Sequence, residues 1–351
     1  MATPAFSADY IVGGMDLTTR FTEQFALSTP IAQAGMAFVG STPDLAVAVS
    51  EAGGLGCLGV GLMPAPALGA AIAAIEKGTD RPFDVNFITG FTGPDQIDVV
   101  CAAGVAAVSF HWGHPPLAWI EQLHAAGIRV FEQVGSVEDA RRAVGDGVDV
   151  VVAQGLEAGG HNYATLPTFA LVPLVADAVA PALVLASGGI ADGRGLAAAL
   201  MLGADGVWVG TRLVATAESA AHDGYKASLV AASATDTERT ALFGPEFPAF
   251  NPMRVLRNRV VREWADRIGE IPADTSAEPV IGTADLPGGR VELHRFTNFV
   301  PMRGATTGDL EEMPLLAGQG VGLVGAVEPA AAVIARMTAD AVAMLGRYPA
   351  R

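Results

Sequence analysis

The sequence predicts an α/β protein: an eight-stranded parallel (β/α) TIM barrel carrying a smaller, mainly helical inserted lobe. Three observations lead there. Short apolar runs recur up to Thr211, each followed by turn residues and an alanine-rich stretch. The runs are too short for amphipathic helices and too uniformly apolar for half-wet strands, as befits strands buried on both faces. Regular alternation of strand and helix calls for parallel strands joined by right-handed crossovers, and eight of them close a barrel.

The first strand begins near Pro30 (PIAQA) and ends in Gln33, Ala34, Gly35, Met36 and Ala37. The second, near Leu55 (LGCLGV), contains Gly54, Gly56 and Gly59 in a G-x-G-x-x-G arrangement. A dinucleotide site needs those glycines between a strand and a helix start. Here they fall inside the apolar run, where they read as small residues in a strand passing close to a neighbour or ligand. The third strand starts at Phe83 (FDVNF) and ends around Asn86, the fourth at Val105 (VAAVSF), followed by "HWGHPP". The fifth starts at Ile128 (IRVFEQV) and ends near Gln133, and the sixth at Val148 (DVVVAQ), closing on Gln154. The seventh (ALVLAS, from Ala182) and eighth (GVWVG, from Gly206) complete the set.

These elements divide the chain into an N-terminal extension (1–29), a barrel (30–218 and 309–346) and a lobe over the mouth (219–308). The lobe segment is richer in charge, proline and phenylalanine, with one helix expected around Met253 to Ile268. "LTTRFTEQFAL" in the extension reads as a helix against the barrel base or a partner chain, so a homo-oligomer is possible. "LLAGQGVGLVGAVEPAAAVIARMTADAVAML" supplies helix to complete the outer ring.

Composition excludes several classes. With 351 residues, 51% apolar, the chain buries a large core. Its 21 basic and 37 acidic residues give a formal charge of −16, and Lys77 and Lys226 are its only lysines. No basic stripe is available for nucleic acid. Cys57 and Cys101 lie among small apolar residues, as packed, reduced thiols of a cytoplasmic protein do. The N-terminus lacks a secretion signal, and runs such as Ala326 to Ala335 are too short or broken to span a bilayer.

In such a barrel, chemistry gathers at the carboxyl ends of the strands. The seventh ends in Ser187, Gly188, Gly189, Ile190, Ala191 and Asp192, the eighth in Val209, Gly210, Thr211 and Arg212. Glycines admit an oxygen-rich group to the backbone and hydroxyls add donors, so the two adjacent ends form a phosphate cradle. Small residues at Ala34 and Gly35 leave room for a flat ring, with the amides of Asn86 and Gln154 at its rim; Met36 alone reads as core filler.

The longest interval between strands, 34 residues from Val148 to Ala182, contains "GLEAGGHNYATLP". His161 stands there as a base, with Gly159 and Gly160 keeping the approach clear. Glu157 is expected to shape the loop by accepting backbone donors. His111 faces the substrate or bonds a neighbouring backbone group. His111 and His114 lie in a proline-bounded loop without a carboxylate cluster, so no metal is expected.

In order along the chain, "PIAQAGMA", "FDVNF", "SFHWGHPP", "AQGLEAGGH", "SGGIADGRGLAAALMLGADGVWVGT", "NPMRVLRN" and "LLAGQGVGLV" resemble the nitronate monooxygenases, formerly 2-nitropropane dioxygenases. The similarity runs from about Pro30 to Leu345. It implies an FMN-dependent barrel whose lobe covers the flavin. Residues matching Ala34, Gly35, Met36, Asn86 and Gln154 lie near the ring, with Gly159 and Gly160 beside it. Ser187, Gly188, Gly189, Gly210 and Thr211 match the phosphate contacts, and His161 matches the catalytic base. The implied reaction is oxidation of a nitronate or nitroalkane by dioxygen to a carbonyl compound and nitrite. Gln133 departs from the pattern, since a lysine over the flavin would be expected there. Two alternatives remain: an NAD(P)H-dependent enoyl-thioester or quinone reductase on the same FMN barrel, and a non-catalytic flavin-binding partner subunit.

Overall fold

The computed structural model describes residues 17–286 and 288–347. Its centre is built from β1 (Ile31–Gln33), β2 (Gly56–Gly59), β3 (Phe83–Ile88), β4 (Ala107–His111), β5 (Arg129–Val134) and β6 (Val150–Gln154). A two-residue strand, β7 (Gly160–His161), leaves the series before β8 (Leu183–Ser187) and β9 (Gly206–Val209) resume it. Eight of these form one sheet in the order β1-β9-β8-β6-β5-β4-β3-β2, parallel throughout. An Ala32–Leu55 bridge joins β1 to β2 and closes the barrel.

Each expected apolar run supplies one barrel strand, because only parallel strands enclosed on both faces let every position be apolar. Outside lie α1 (Arg20–Phe25), α2 (Pro43–Glu51), α3 (Ala65–Gly78), α4 (Pro94–Ala103), α5 (Leu117–Ala125), α6 (Val137–Gly145), α7 (Thr168–Val179) and α8 (Gly193–Met201). Their starts follow local chemistry. Proline opens α2 and α4 at a position whose amide has no helical partner anyway. Ser136 caps α6 by accepting from the Asp139 amide, and Asp192 caps α8 through the Arg194 and Gly195 amides. Asp192, part of the cradle sequence, is thus used to start a helix.

The barrel base is plugged by α1. Phe21 and Phe25 are buried against Phe131, with ring centroids 6.3 and 5.4 Å away. The Arg20 guanidinium forks onto both carboxylate oxygens of Asp205 at 2.7 Å. Leu55, Val150, Val152, Leu183, Leu185 and Trp208 fill the same inner cluster.

Beyond α9 (Thr211–Val214) and α10 (Asp223–Ala231), the lobe differs from the mainly helical expectation. It contains β10 (Thr237–Thr240), β11 (Met253–Leu256), β12 (Val280–Leu286), β13 (Gly289–His294) and β14 (Thr306–Gly308), and among the described residues between them α11 (Arg259–Trp264) is the one α-helix, beside short 3-10 turns. The strands form two three-stranded sheets, β10-β11-β7 and β13-β12-β14. The helix expected over Met253 to Ile268 is therefore a strand followed by a short helix that Asn258 caps. Pairing on both edges of β11 overrides the local pattern, since a segment that can join two strands satisfies its backbone in the sheet. Finally α12 (Ala330–Leu345) packs on α8 and α2, completing the outer ring.

Candidate active site

The mouth at the carboxyl ends of the strands has two halves. One is a glycine-walled cradle. Gly188 and Gly189, directly after β8, both have positive φ (+108° and +74°), a conformation that side chains disfavour and that can turn consecutive amides toward one anion. A Cβ at Gly189 would have its nearest neighbour 3.5 Å away in the Glu157 side chain, and one at Gly210 would stand 3.5 Å from the Ala34 Cβ. A methyl at either position would thus meet its neighbours at ordinary contact distance, without a clash. Ser187 is buried just before them, and Thr211 Oγ1 accepts from the Gly318 amide at 2.9 Å.

Glu157 holds this half together. Its carboxylate accepts from the Thr168 amide at 2.8 Å and the Thr168 hydroxyl at 3.0 Å, while its carbonyl accepts from the Gln319 amide. Gly159, expected to leave the approach clear, serves chain packing instead: a Cβ there would lie 2.4 Å from the Gly318 nitrogen. The segment around Gly318, some 160 residues from Gly159 by number, is the third wall of the cradle.

The other half is a set of imidazoles and aromatic rings. His161 lies on β7, which pairs with β11 through Met253–His161 and Arg254–Gly160, so the lobe sheet fixes its height over the mouth. Its carbonyl accepts from Gln154 Nε2 at 3.2 Å. Burial lowers the His161 pKa to about 4. His111 is lowered to about 3, first by burial and then by His161. Both rings are therefore neutral at pH 7. Gln133 Nε2 donates to His111 Nδ1 at 2.7 Å, which leaves the ring proton on Nε2. His111 thus bonds a neighbouring side chain.

His114 is separate, placed between Glu132 and Asp146 at 2.8 and 3.0 Å. No metal-binding group of three or more such side chains occurs among the described residues.

Trp112, at φ +59°, packs edge-on against His161 (5.4 Å) and Tyr163 (5.2 Å) and stacks on Phe250 at 6.1 Å. Trp112, Tyr163 and Phe250 line a cavity of about 420 Å³ with Gly113, Ala249 and Asn251. Ala34 and Gly35 follow β1 beside the half-buried Met36; a Cβ at Gly35 would fall 1.9 Å from the Asn86 Cγ. Only glycine fits there. Asn86 in turn donates to Ser109 Oγ at 2.8 Å.

Several residues here have roles that the sequence did not reveal. Asn162 is fully buried and donates to the carbonyls of Gly155, Leu156 and Ala158, holding the loop before His161 in shape. Arg254 reaches from β11 to the Leu156 carbonyl. Asparagine beside the expected base offered a local hint, but Arg254 is brought in only by the lobe.

A closed parallel barrel with glycines and neutral, half-buried imidazoles at the carboxyl ends of its strands is the architecture of an α/β-barrel enzyme. A profile of the nitronate monooxygenase family matches residues 18–92 and 85–340, and the chain belongs to that family, as an oxidoreductase. A probable nitronate monooxygenase of Staphylococcus saprophyticus is 34% identical over 304 residues, covering 74% of this chain and 84% of its own. FabK from Thermotoga maritima superposes with a TM-score of 0.77 at 35% identity, covering 94% of this chain and 98% of that one. A nitroalkane oxidase from Streptomyces ansochromogenes does so with a TM-score of 0.75 at 28% identity, covering 93% and 99%. No helix of the described residues is long and apolar enough to cross a membrane.

Proposed function

We propose that this chain holds FMN and oxidises nitronates or nitroalkanes with dioxygen to carbonyl compounds and nitrite. The observation that carries the reading is the position of His161: a half-buried imidazole, neutral at pH 7, on a strand whose preceding loop braces the glycine cradle. The cradle fits the phosphate end of a flavin mononucleotide, because two consecutive glycines of positive φ follow β8 and no clash walls off Gly189 or Gly210. Ser187, Gly188, Gly189, Gly210 and Thr211 bind that end. Ala34, Gly35 and Met36 line the ring, with Asn86, Gln154 and Gly160 at its edges. When bound, FMN supplies the redox chemistry, taking electrons from the substrate and passing them to dioxygen.

The protein residues do the rest. His161 removes the α-proton of a neutral nitroalkane, and its low pKa keeps it unprotonated and ready. His111 presents its Nε2–H to the substrate, since Gln133 occupies Nδ1. The Trp112, Tyr163 and Phe250 rings exclude water from the substituent side.

FabK superposes as well as nitroalkane oxidase, so the scaffold alone does not exclude the thioester or quinone reductase reading. Anaerobic mixing of the purified holoenzyme with propyl-2-nitronate and, separately, with NADH distinguishes them. Bleaching of the flavin absorbance by the nitronate alone is expected. Bleaching by NADH alone replaces this reading with the reductase, and bleaching by neither overturns both.

A further inference from the structure

Beneath the mouth, the barrel interior holds a carboxyl group that the chemistry above leaves unused. Asp84 on β3 is fully buried. Cys57 Sγ donates to its Oδ2 at 3.0 Å and Ser109 Oγ to the same oxygen at 2.6 Å, while Oδ1 is buried without a partner. A hydroxyl has one proton to give. Ser109 directs it at Asp84, so toward Asn86 its oxygen can only accept. Asn86 Nδ2 faces that oxygen at 2.8 Å and the Ser109 carbonyl at 3.4 Å. With two acceptors below, the amide nitrogen must point down. The amide oxygen then lies on the side away from Ser109, where the amide packs on Gly35: a Cβ there would lie 1.9 Å from Asn86 Cγ and 2.2 Å from its Oδ1.

We infer that Asp84, acting through Ser109, is a positioning residue that fixes the Asn86 amide with its oxygen toward the mouth, so that the mouth offers an acceptor to an N–H edge of the bound ring. This rests on the FMN reading, since the imide of a flavin is such an edge. Burial raises the Asp84 pKa to about 7. A proton on the unpartnered Oδ1 would still leave Oδ2 accepting from both donors, so the direction of the chain is the same in either protonation state.

The test compares Asp84→Val, Asp84→Asn, Asn86→Ala and the Asp84→Val/Asn86→Ala pair by FMN titration of flavin-free protein. In Asp84→Val the Ser109 hydroxyl is released to donate to Asn86, the amide turns over, and the Kd for FMN rises about tenfold, as for loss of one ordinary hydrogen bond. Asp84→Asn keeps an oxygen for both donors and stays within about threefold of the parent. In the Asn86→Ala background Asp84→Val adds nothing, because the group it orients is gone. An equal loss in both backgrounds, or no loss in either, overturns the inference.

Asparagine side-chain amide signals in ¹⁵N NMR of the flavin-free protein separate this from the FMN assignment. The Asn86 amide protons are slow to exchange in the parent and in Asp84→Asn, and fast in Asp84→Val. Unchanged exchange in Asp84→Val overturns the inference whatever the cofactor proves to be. If that variant does not fold, Ser109→Ala removes the same link and is held to the same outcomes.

Discussion

Two groups of glycines in this barrel look alike in sequence and do opposite things. At Gly54, Gly56 and Gly59 a Cβ would meet the carbonyl oxygens of Ile31, Ala46 and Met36 at 2.6, 2.1 and 2.2 Å. These glycines let the chain press against itself. At Gly189 and Gly210 the nearest neighbour of a Cβ is 3.5 Å away. There a side chain would meet no clash, so close chain packing does not account for those glycines. A glycine-rich stretch is thus a statement about proximity, and only the surroundings say proximity to what.

Gly189→Leu should give the largest effect. The side chain enters the cradle and the loss of two hydrogen bonds to a charged group weakens flavin binding by on the order of 3–6 kcal/mol. The variant is expected to purify as folded apoprotein, its circular dichroism unchanged and its visible absorbance lost. Full flavin content would remove the distinction between the two glycine groups.

His161→Asn follows, with a rate loss of roughly 10²–10⁴-fold on a neutral nitroalkane. Preformed nitronate has already lost the proton, so its oxidation should suffer far less. Steady-state kcat/KM on both substrates, at equal flavin content, checks this; equal losses would mean that His161 anchors the nitro group instead.

Gly56→Ala sharpens the contrast from the other side. Its methyl would press on the Ala46 carbonyl and the Ser50 hydroxyl, an overpacking that costs about 1–3 kcal/mol. The midpoint of urea unfolding should fall while flavin stoichiometry in the folded protein stays at one. A flavin-free but equally stable variant would place Gly56 at the ligand.

The smallest effect is in pH. An ordinary histidine base would lose activity as the pH falls through about 6.5. With the His161 pKa lowered to about 4, kcat/KM for a neutral nitroalkane should stay level from pH 8 to 5 and decline only near 4. A pH–rate profile bending at 6.5 would show a base that water reaches. Stability moves the same way: His161 and His111 are lowered on folding, so their contribution is present above about 6.5 and is lost as the pH falls toward 4 and 3.

The barrel was legible because strands enclosed on both faces leave an unmistakable trace: LGCLGV, VAAVSF and ALVLAS each became a strand at the expected place. The lobe was not, because β11 owes its extended form to partners at Gly160–His161 and Thr237–Thr240 that lie elsewhere in the chain. Glycines and histidines announced the mouth, being residue types with few other uses at strand ends. Asn162, Arg254 and Gly318 stand in the quoted motifs, yet their roles were not legible, since an asparagine, an arginine or a glycine acquires its role there only from the carbonyl or the backbone it meets.

The closure of the barrel has a kinetic counterpart. Seven joints between neighbouring strands are ladders of at least three paired residues, whereas β1 meets β2 at the Ala32–Leu55 bridge and through the Gln33 side chain, which bonds the Cys57 amide and carbonyl. The backbone ladder is shortest there and leans on one side chain, so this seam is where native-state amide exchange should first let solvent in. Gln33, Gly35 and Gly59 flank it, which places the softest line of the barrel directly under one rim of the mouth, where a ring-sized ligand would act as the missing rungs.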